Sequence, residues 1–509
     1  MWKASHGAHG ASGVNTRFDT YCASYTHYDP IVISFWYTTI LPFLRRWWPL
    51  VLVLLVGLVL RLALWEQLPR QGWISDEAEY LASASWLAQA RFSWYDGWLW
   101  TRAPLYPLFV AVHLGLAGQS WSLLFAAQIG LSLLSVALIY GLCWRITGPP
   151  LSHKGPRAGG EGFHLPALLA GLAAALYLPF AVGSQLLLSE TLYLVLILGM
   201  VLALQVWNDG YGWLILAAVL LGLACLTRGL TLGFIPLAGL WVWWTGRQRF
   251  YRRPLAAAAV FLLVCGLTIG PWSLYASRTY GGPILIDTTG SYNVMLGART
   301  AYDDASSDKA VRQFALALLD EQLSPAEREA LVQEACLWHA GDAALQQALA
   351  TPVSNITQAQ RQQLMLAEGL CLLRAAPLAF VGKSLSELVA LFQMNYTGAE
   401  RMSGGFSVGR LPYWYSLGLF LLEDTLYLLL LPLGIVGWAY ARRVFVTSVT
   451  GLVGLWWLYH GLTAPLLFAI NRFRLPLMPL VMVYAAIALT VLLRRHASAW
   501  DGPGGHSLR

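Results

Sequence analysis

The chain has 509 residues, of which 57% are hydrophobic and only 12% are charged, and its mean hydropathy is +0.55. This composition excludes an ordinary soluble domain and is typical of a protein with many membrane-spanning helices. The net charge of +7 does not indicate a nucleic-acid partner, because the Lys and Arg residues form short clusters at the ends of apolar segments. Membrane orientation explains such clusters.

The first segment, residues 1–46, lacks the features of a cleavable signal peptide. It is polar and irregular up to about residue 40 and has neither a basic start nor a small-residue cleavage site. We expect it to be a cytoplasmic tail.

Apolar runs of about 20 residues, long enough to cross a hydrocarbon core of about 30 Å, recur along the rest of the chain. Ten transmembrane helices are predicted, near residues 47–65, 120–145, 164–182, 186–207, 211–227, 230–246, 255–275, 413–440, 444–468 and 475–494. Ten spans put both termini on one side, and the positive-inside rule makes that side cytoplasmic. The basic clusters on that side are Arg45/Arg46, Arg145 with Lys154 and Arg157, Arg247/Arg249/Arg252/Arg253, Arg442/Arg443 and Arg494/Arg495.

This topology predicts an all-α polytopic membrane protein in five parts. They are a cytoplasmic tail (1–46), an N-terminal transmembrane catalytic module (47–275) that includes the external loop 66–119, an external loop domain (276–412), C-terminal transmembrane helices (413–495) and a cytoplasmic tail (496–509).

The first external loop carries three carboxylates beside the membrane, in the sequence I-S-D-E-A-E-Y of residues 74–80. Ser75 followed by Asp76 and Glu77 favours a helix start, because acids near a helix N-terminus oppose its positive end. Glu79 is expected on a solvated face of that helix. The segment from Pro104 to Leu116 is too short to span the membrane comfortably, and we expect an interfacial helix there.

The second external loop, about residues 276–412, contains the most polar stretch of the chain and predicts a small helical external domain. Near its end, Pro377 to Leu391 has an amphipathic pattern and is expected to rest on the membrane. The six cysteines form no C-x-x-C motif, so neither a zinc site nor a disulfide framework is predicted. Only Cys336 and Cys371, both in this loop, are placed to pair, and the sequence leaves their pairing open.

A group of arginines breaks the positive-inside pattern, because its members lie at external ends of spans or in external loops. They are Arg61, Arg102, Arg228, Arg278, Arg472 and Arg474. Snorkelling of the side chain to the interface explains any single one of them. Guanidinium groups also pair with phosphate oxygens in a bidentate way, so the group as a whole indicates an anionic lipid head group.

Six short motifs occur in an order that resembles a known superfamily. They are D-E-A-E-Y (76–80), R-A-P-L-Y-P (102–107), L-S-E-T-L-Y (188–193), L-T-R-G (226–229), P-W-S-L-Y-A-S-R-T-Y-G (271–281) and N-R-F-R-L-P (471–476). Over about residues 48–495, excluding the middle of the second loop, the chain resembles integral membrane glycosyltransferases of the C-fold (GT-C) superfamily. Within it, the similar branch is that of protein O-mannosyltransferases and aminoarabinose transferases.

The resemblance implies an inverting transfer of one sugar from a polyprenyl-phosphate carrier to an extracytoplasmic acceptor. Asp76 would be the general base that takes the proton of the acceptor hydroxyl, a role that contributes about 10² to 10⁴ in rate. Glu77 would support binding of the acceptor or the sugar. Arg102 matches the position at which a basic residue meets the lipid phosphate. The further phosphate-binding candidates are Arg278, Arg472, Arg474, Arg228 and Arg61, and the substrate-binding candidates are Tyr80, Glu190 and Trp100.

Several of these residues have a purely structural explanation as well. Asp76 and Glu77 fit as first-turn helix residues, Glu190 as a buried helix cap, and Tyr80 and Trp100 as interface anchors. Arg228 fits as a helix-terminating residue. His460 has no acid or second His at ligand spacing and is expected to be a packed core residue.

The predicted partners are a polyprenyl-phosphate-linked sugar donor, a glycan, lipid or protein acceptor, and membrane lipids, with no nucleic acid. The predicted location is the plasma (inner) membrane, with the active site on its extracytoplasmic face. No cluster of metal ligands is evident, so no definite cofactor is predicted and a need for a divalent cation stays open. The alternatives are a polytopic transporter or lipid flippase, and a glycan polymerase or ligase with a lipid-linked donor. Charges gathered at one surface and no evident internal repeat favour the transferase over a transporter.

Overall fold

The computed structural model describes residues 41–65, 75–88, 102–116, 121–148, 165–207, 210–248, 253–302, 307–392, 413–444, 449–467 and 471–500. Two compact units are distinguished, Met1–Pro49 and Leu50–Arg509. The site and the helices that carry it belong to the second unit. Trp100 and, of the predicted tails, residues 1–40 and 501–509 lie outside the described residues, whereas residues 41–46 and 496–500 belong to the first and the last described helix.

Every regular element of the described residues is helical. The first ten α-helices are α1 (Leu41–Ala63), α2 (Ser75–Ala88), α3 (Leu105–Leu116), α4 (Trp121–Thr147), α5 (Leu165–Leu176), α6 (Leu178–Gly183), α7 (Glu190–Val206), α8 (Tyr211–Thr227), α9 (Phe234–Gln248) and α10 (Pro254–Thr279). The others are α11 (Thr289–Thr300), α12 (Ser307–Ala317), α13 (Pro325–Val332), α14 (Cys336–His339), α15 (Ala343–Ala350), α16 (Gln358–Ala375), α17 (Pro377–Leu391), α18 (Tyr413–Val444), α19 (Val449–Leu467) and α20 (Met478–Trp500). Short 3-10 helices cover Gly229–Gly233, Val353–Asn355 and Asn471–Arg474.

Four of the described helices are long and apolar enough to cross a membrane. They are α4, α10, residues Leu421–Val444 of α18 and residues Met478–His496 of α20. A fifth would be added if α16 and α17, which are bent by 102°, counted as one span. The protein is therefore an all-helical integral membrane protein. The other predicted spans coincide with helices that are shorter or less apolar, so the count of ten spans stays a prediction.

The predicted span 164–182 is broken in two at Tyr177, which has an extended backbone between α5 and α6. Pro179 explains the break. In a continuous helix, the N–H of residue 179 would donate to the carbonyl oxygen of Ala175. A proline has no such N–H, and its ring clashes with that carbonyl. The freed oxygen of Ala175 accepts a hydrogen bond of 3.4 Å from Arg61 instead.

The C-terminal helices α18 and α20 are in direct backbone contact. A Cβ atom added at Gly437 would lie 1.8 Å from the carbonyl oxygen of Tyr484, and one at Gly434 would lie 2.7 Å from Val481. Small residues allow such close approach between membrane helices. This contact fixes α20, whose N-terminal end follows the segment that carries Arg472.

The loop between α10 and α18 is helical, as predicted, and has its own hydrophobic cluster centred on residues such as Phe314, Leu345 and Leu364. Cys336 and Cys371 form a disulfide with a Cα–Cα distance of 5.9 Å, which answers the question of pairing that the sequence leaves open. The boundaries of this domain and its external position stay predictions.

This loop domain is anchored on the C-terminal end of α19. Lys383 of α17 donates hydrogen bonds to the carbonyl oxygens of Pro465 and Leu467, at 3.1 and 2.9 Å. Gly297 of α11 lies so close to the oxygen of Leu467 that no side chain fits there. The chain then leads from the end of α19 to the 3-10 helix Asn471–Arg474, so the domain supports the segment that holds Arg472.

Candidate active site

The acidic motif forms the first turns of α2. The helix begins at Ser75 with Asp76 and Glu77 in its first turn, which confirms the predicted helix start. Asp76, Glu79 and Tyr80 are spaced by three and four residues and therefore share one face. Glu77 has a different partner and accepts a hydrogen bond of 2.8 Å from the backbone N–H of Leu187.

Arg102 connects two carboxylates of that face. Its Nη2 donates to Asp76 Oδ1 at 2.7 Å and its Nε donates to Glu79 Oε2 at 2.5 Å. The guanidinium also lies over the ring of Tyr80, 5.3 Å from its centroid. The prediction that Glu79 is solvated is wrong, because its spacing from Asp76 directs it toward Arg102 and leaves it only 5% exposed.

Arg472 binds Asp76 from the opposite side. Its Nη2 donates to Asp76 Oδ2, and its Nε lies 3.1 Å from Glu190 Oε1. The 3-10 helix that carries Arg472 is held in turn by His460, whose Nε2 is 2.7 Å from the carbonyl oxygen of Phe473. His460 is buried, as predicted for a packed core residue, and it supports the backbone of the site.

Glu190 is the buried first residue of α7 and extends the set of charges to Arg228, whose Nη2 is 3.2 Å from Glu190 Oε1. The result is an alternating series, which we call the arginine–carboxylate network: Arg102, Asp76, Arg472, Glu190 and Arg228. The ring of Phe473 lies between two of its members, 5.6 Å from the Arg228 guanidinium and 5.8 Å from that of Arg472. Sequence positions that are far apart thus meet at one place.

The network keeps Asp76 ionised. Burial disfavours the charge of Asp76, but the charges and hydrogen bonds of Arg102 and Arg472 more than offset this and hold the pKa of its carboxyl below the ordinary value. Burial also works against the charge of Arg472, while Glu190 and Asp76 raise its pKa. The side chains of Arg102, Asp76 and Arg472 are 21%, 23% and 24% exposed, so a ligand can reach them.

Tyr80 is buried rather than directed to lipid. Its hydroxyl donates to Ser189 Oγ at 3.0 Å, and its ring packs edge-on against Tyr106 with 4.8 Å between the centroids. Since Ser189 directly precedes Glu190, Tyr80 links α2 to the start of α7. This places the predicted residue beside the network.

Arg61 lies apart from the network, inside the helix bundle. Its side chain is fully buried and donates to Ser132 Oγ, at 3.0 Å from Nε and 2.7 Å from Nη2, and to the oxygen of Gly57 at 2.9 Å. Through its bond to Ala175, the Arg61 guanidinium replaces the hydrogen bond that this carbonyl loses at the helix break before Pro179. We therefore leave Arg61 out of the candidate phosphate site.

The structure also separates Arg474 and Arg278 from the network. Arg474 is buried with Glu423, at 3.7 Å, and lies 3.9 Å from the ring centroid of Tyr427. Because a 3-10 helix has about three residues per turn, residues two apart point in different directions, which separates Arg474 from Arg472. Arg278 is exposed on the last turn of α10.

Asp287, which sequence reasoning missed, lies next to the network in the segment between α10 and α11. The only local signal is the Asp residue type two residues before Thr289, since an Asp side chain commonly accepts the backbone N–H two residues further on in an Asx-turn. Within the described ranges, no group of three or more His, Cys, Asp or Glu side chains is arranged to hold a metal ion.

No protein-family model matches the sequence, and no curated protein is similar to it. Two solved structures are similar in fold. The archaeal oligosaccharyltransferase AglB from Archaeoglobus fulgidus, in complex with an inhibitory peptide and a dolichol-phosphate, has a TM-score of 0.48 and 12% identity over 91% of this chain and 53% of that one. ArnT from Cupriavidus metallidurans, bound to undecaprenyl phosphate, has a TM-score of 0.35 and 15% identity over 89% of this chain and 79% of that one.

The chain thus spans about half the length of the archaeal protein. Both identities and both TM-scores are low, so neither likeness carries an argument about the activity of this chain.

Proposed function

We propose that this protein is an inverting glycosyltransferase that moves a single sugar from a polyprenyl-phosphate carrier to the hydroxyl of an acceptor. The acceptor belongs to the glycans, lipids or proteins of the cell envelope. Asp76 is the general base, and Arg102, Arg472 and Arg228 bind the lipid phosphate. Glu77, Glu190 and Tyr80 shape the site around them.

The observation that carries this proposal is the convergence of separate motifs on one carboxylate. Asp76 of D-E-A-E-Y meets Arg102 of R-A-P-L-Y-P at 2.7 Å and also pairs with Arg472 of N-R-F-R-L-P. Glu190 of L-S-E-T-L-Y and Arg228 of L-T-R-G join them. A random distribution of snorkelling arginines would not bring these motifs together around the acid that the resemblance assigns as the base.

Carboxylates of the chain pair with the guanidinium groups of the network. The phosphodiester of the donor carries one negative charge, as a carboxylate does, and its two free oxygens match the guanidinium fork equally well, so it competes with the carboxylates for Arg102 and Arg472. Binding of the donor then releases the two oxygens of Asp76. The contacts of Arg102 and Arg472 lower the pKa of Asp76. When the donor displaces these contacts, the pKa of Asp76 rises and the carboxylate becomes able to accept a proton.

The reaction follows from this arrangement. The acceptor oxygen attacks C1 of the sugar from the side opposite to the phosphate, and the bond between C1 and the phosphate oxygen breaks. The proton of the acceptor hydroxyl passes to Asp76. The polyprenyl phosphate leaves with the bonding electron pair, and the arginines stabilise the charge that develops on its oxygen.

Two features support a site on the extracytoplasmic face. The basic clusters assign that side by the positive-inside rule. The disulfide Cys336–Cys371 lies in the loop domain anchored next to the Arg472 segment, and disulfides persist mainly in oxidising compartments. The proposed location is therefore the plasma membrane, with the network at its outer surface.

The test is an assay of the purified wild-type protein with polyprenyl-phosphate sugars that carry a radiolabel, together with glycan, lipid and protein fractions of the envelope. Arg472→Ala should abolish the transfer. Arg374→Ala is the matched control, since Arg374 is exposed on α16 and contacts no member of the network among the described residues. It should leave the transfer unchanged.

Transfer of one sugar that depends on Arg472 supports the proposal. Movement of the labelled lipid across a bilayer without bond cleavage would identify a transporter or flippase instead. Transfer of a preformed oligosaccharide block would identify a ligase.

A further inference from the structure

Asp287 is fixed beside the arginine–carboxylate network by the segment that carries it. The indole N–H of Trp272 in α10 donates to the carbonyl oxygen of Ile286 at 2.7 Å. Ser277 Oγ accepts from the N–H of Ile284 at 3.0 Å and donates to its carbonyl oxygen at 3.1 Å. These bonds hold residues 284–286 along α10 and determine where Asp287 lies.

The neighbours of this segment place Asp287 beside the chain segments that carry Arg102 and Arg228. Ile286 belongs to one hydrophobic cluster with Ala103 and Leu226. Ala103 directly follows Arg102, and Leu226 lies two residues before Arg228. Arg102 is close enough to act electrostatically on the Asp287 carboxyl.

The two oxygens of Asp287 have different surroundings. Oδ1 accepts hydrogen bonds from the backbone N–H and the hydroxyl of Thr289, at 3.1 and 2.7 Å, and so supports the start of α11. Oδ2 lies against Gly229, the residue after Arg228. A Cβ atom at position 229 would be only 2.6 Å from Oδ2, so the carboxylate needs glycine there to occupy this place.

The negative charge of the Asp287 carboxylate is only partly stabilised by its neighbours in this position. Burial raises the pKa of the Asp287 carboxyl, and the hydroxyl of Thr289 and the charge of Arg102 lower it only in part. A half-buried carboxylate in this condition is stabilised by additional O–H donors. A phosphate is not such a donor, because its charge has the same sign.

We propose that Asp287 binds a hydroxyl group of the donor sugar and thereby contributes to the choice of sugar. This inference rests on the proposed function. C1 of the sugar is bonded directly to the phosphate, so the hydroxyls of the sugar lie next to the arginines that hold that phosphate. Asp287 is a carboxylate at this place. Among the described residues, it forms no ion pair with Arg102 or Arg472, the two arginines that bind Asp76.

The experiment measures the dissociation constants of undecaprenyl methyl phosphate, which serves as the bare lipid, and of undecaprenyl phosphate carrying mannose, galactose or arabinofuranose. All of these lipids are phosphodiesters with one negative charge. The wild type should bind at least one glycosylated lipid about tenfold more tightly than the bare lipid phosphate, the size expected for one hydrogen bond to a charged group. Asp287→Asn should remove this advantage, measured as the ratio of the two dissociation constants, without weakening the binding of the bare lipid. Asparagine keeps an oxygen for the N–H of Thr289, so the start of α11 is preserved.

Two further variants separate sugar binding from a merely structural role. In Gly229→Ala the new methyl group displaces Oδ2 while the charge remains, so this variant should also lose the sugar-dependent gain in affinity. In Thr289→Val the hydroxyl bond at Oδ1 is lost but the carboxylate stays, so the gain should persist even if the melting temperature falls.

If Asp287→Asn left the ratio of the dissociation constants of the bare and glycosylated lipids unchanged, the assignment of Asp287 alone would be overturned. The same conclusion would follow if the wild type bound no glycosylated lipid more tightly than the bare one. If the wild type bound none of these lipids, the proposed function itself would be refuted, and this inference with it.

Discussion

Arg472 donates a hydrogen bond to Asp76 across 396 residues of sequence. The contact joins the first turn of α2 to the 3-10 helix before α20. The N-terminal and C-terminal parts of the chain therefore form one site. The contact also gives Asp76 a second guanidinium partner in addition to Arg102. Asp76 is therefore held in two ion pairs.

The first prediction concerns Arg102 as a phosphate ligand. Arg102→Ala removes a charge-assisted contact worth about 1.5 to 3 kcal/mol. The dissociation constant for undecaprenyl phosphate should rise by about tenfold to a hundredfold, and turnover should fall as well. Titration calorimetry in detergent measures the affinity, with Arg374→Ala as the matched control. Unchanged affinity in Arg102→Ala would remove this residue from the phosphate site.

The second prediction separates the role of Asp76 from phosphate capture. Asp76→Asn should abolish sugar transfer, because an amide cannot take the proton of the acceptor hydroxyl. Its affinity for undecaprenyl phosphate should stay within a few-fold of the wild-type value or become tighter, since a carboxylate that competes for Arg102 and Arg472 is gone. The two quantities are measured on the same purified preparation. Turnover like that of the wild type would exclude Asp76 as the base.

The third prediction uses the pH dependence of stability. The pKa of Asp76 in the folded protein lies below its ordinary value of 3.8, so the carboxylate stabilises the fold at pH values above that range. This contribution is lost as the pH falls through the lowered pKa, because the proton then binds to the folded state as well. The difference in melting temperature between the wild type and Asp76→Asn should therefore be constant above about pH 5 and shrink toward pH 3. A difference that does not change with pH would contradict the ion pairing.

Part of this site could be predicted from the sequence, because some of its determinants are local. The start of α2 at Ser75 follows from helix-capping chemistry, and the helix positions follow from hydropathy. The side of the membrane at which Arg102, Arg228 and Arg472 would lie follows from the charge bias. Glu79 could also have been placed, since its spacing of three from Asp76 is visible in the sequence.

The rest depends on tertiary structure that no local pattern encodes. Arg472 and Arg474 are two residues apart and look equivalent in the sequence, but the 3-10 helix directs one to Asp76 and the other to Glu423. Arg61 looked like a surface arginine, yet the break before Pro179 provides carbonyl partners inside the bundle. Asp287 lies outside the six motifs, and its place beside Arg102 depends on the packing of Ile286 and on the hydrogen bonds that hold residues 284–286 along α10.

The fourth prediction concerns the apolar face of α17, which was expected to rest on the membrane. Leu378, Val381, Leu385 and Val389 are all more than half exposed, while Lys383 on another face is buried against α19. A fluorophore attached to a cysteine at position 385 should be strongly quenched by spin-labelled lipids, because this face lies in the interface. The measurement uses a Cys22→Ser background in lipid nanodiscs.

A cysteine at position 329 provides the control for α17. Glu329 is exposed on α13 in the loop domain, so a label there should be quenched weakly. Equal quenching at positions 385 and 329 would show that α17 does not lie on the bilayer.

In the proposed mechanism, the arginine–carboxylate network exchanges Asp76 for a lipid phosphate. The most direct measurement is the structure of the wild-type protein in lipid nanodiscs with undecaprenyl phosphate bound. We expect the phosphate to lie within hydrogen-bond distance of Arg102 and Arg472, with at least one oxygen of Asp76 released from its guanidinium partner and facing the acceptor side. A phosphate bound elsewhere, with both ion pairs of Asp76 intact, would show that the lipid phosphate does not replace Asp76 at Arg102 and Arg472.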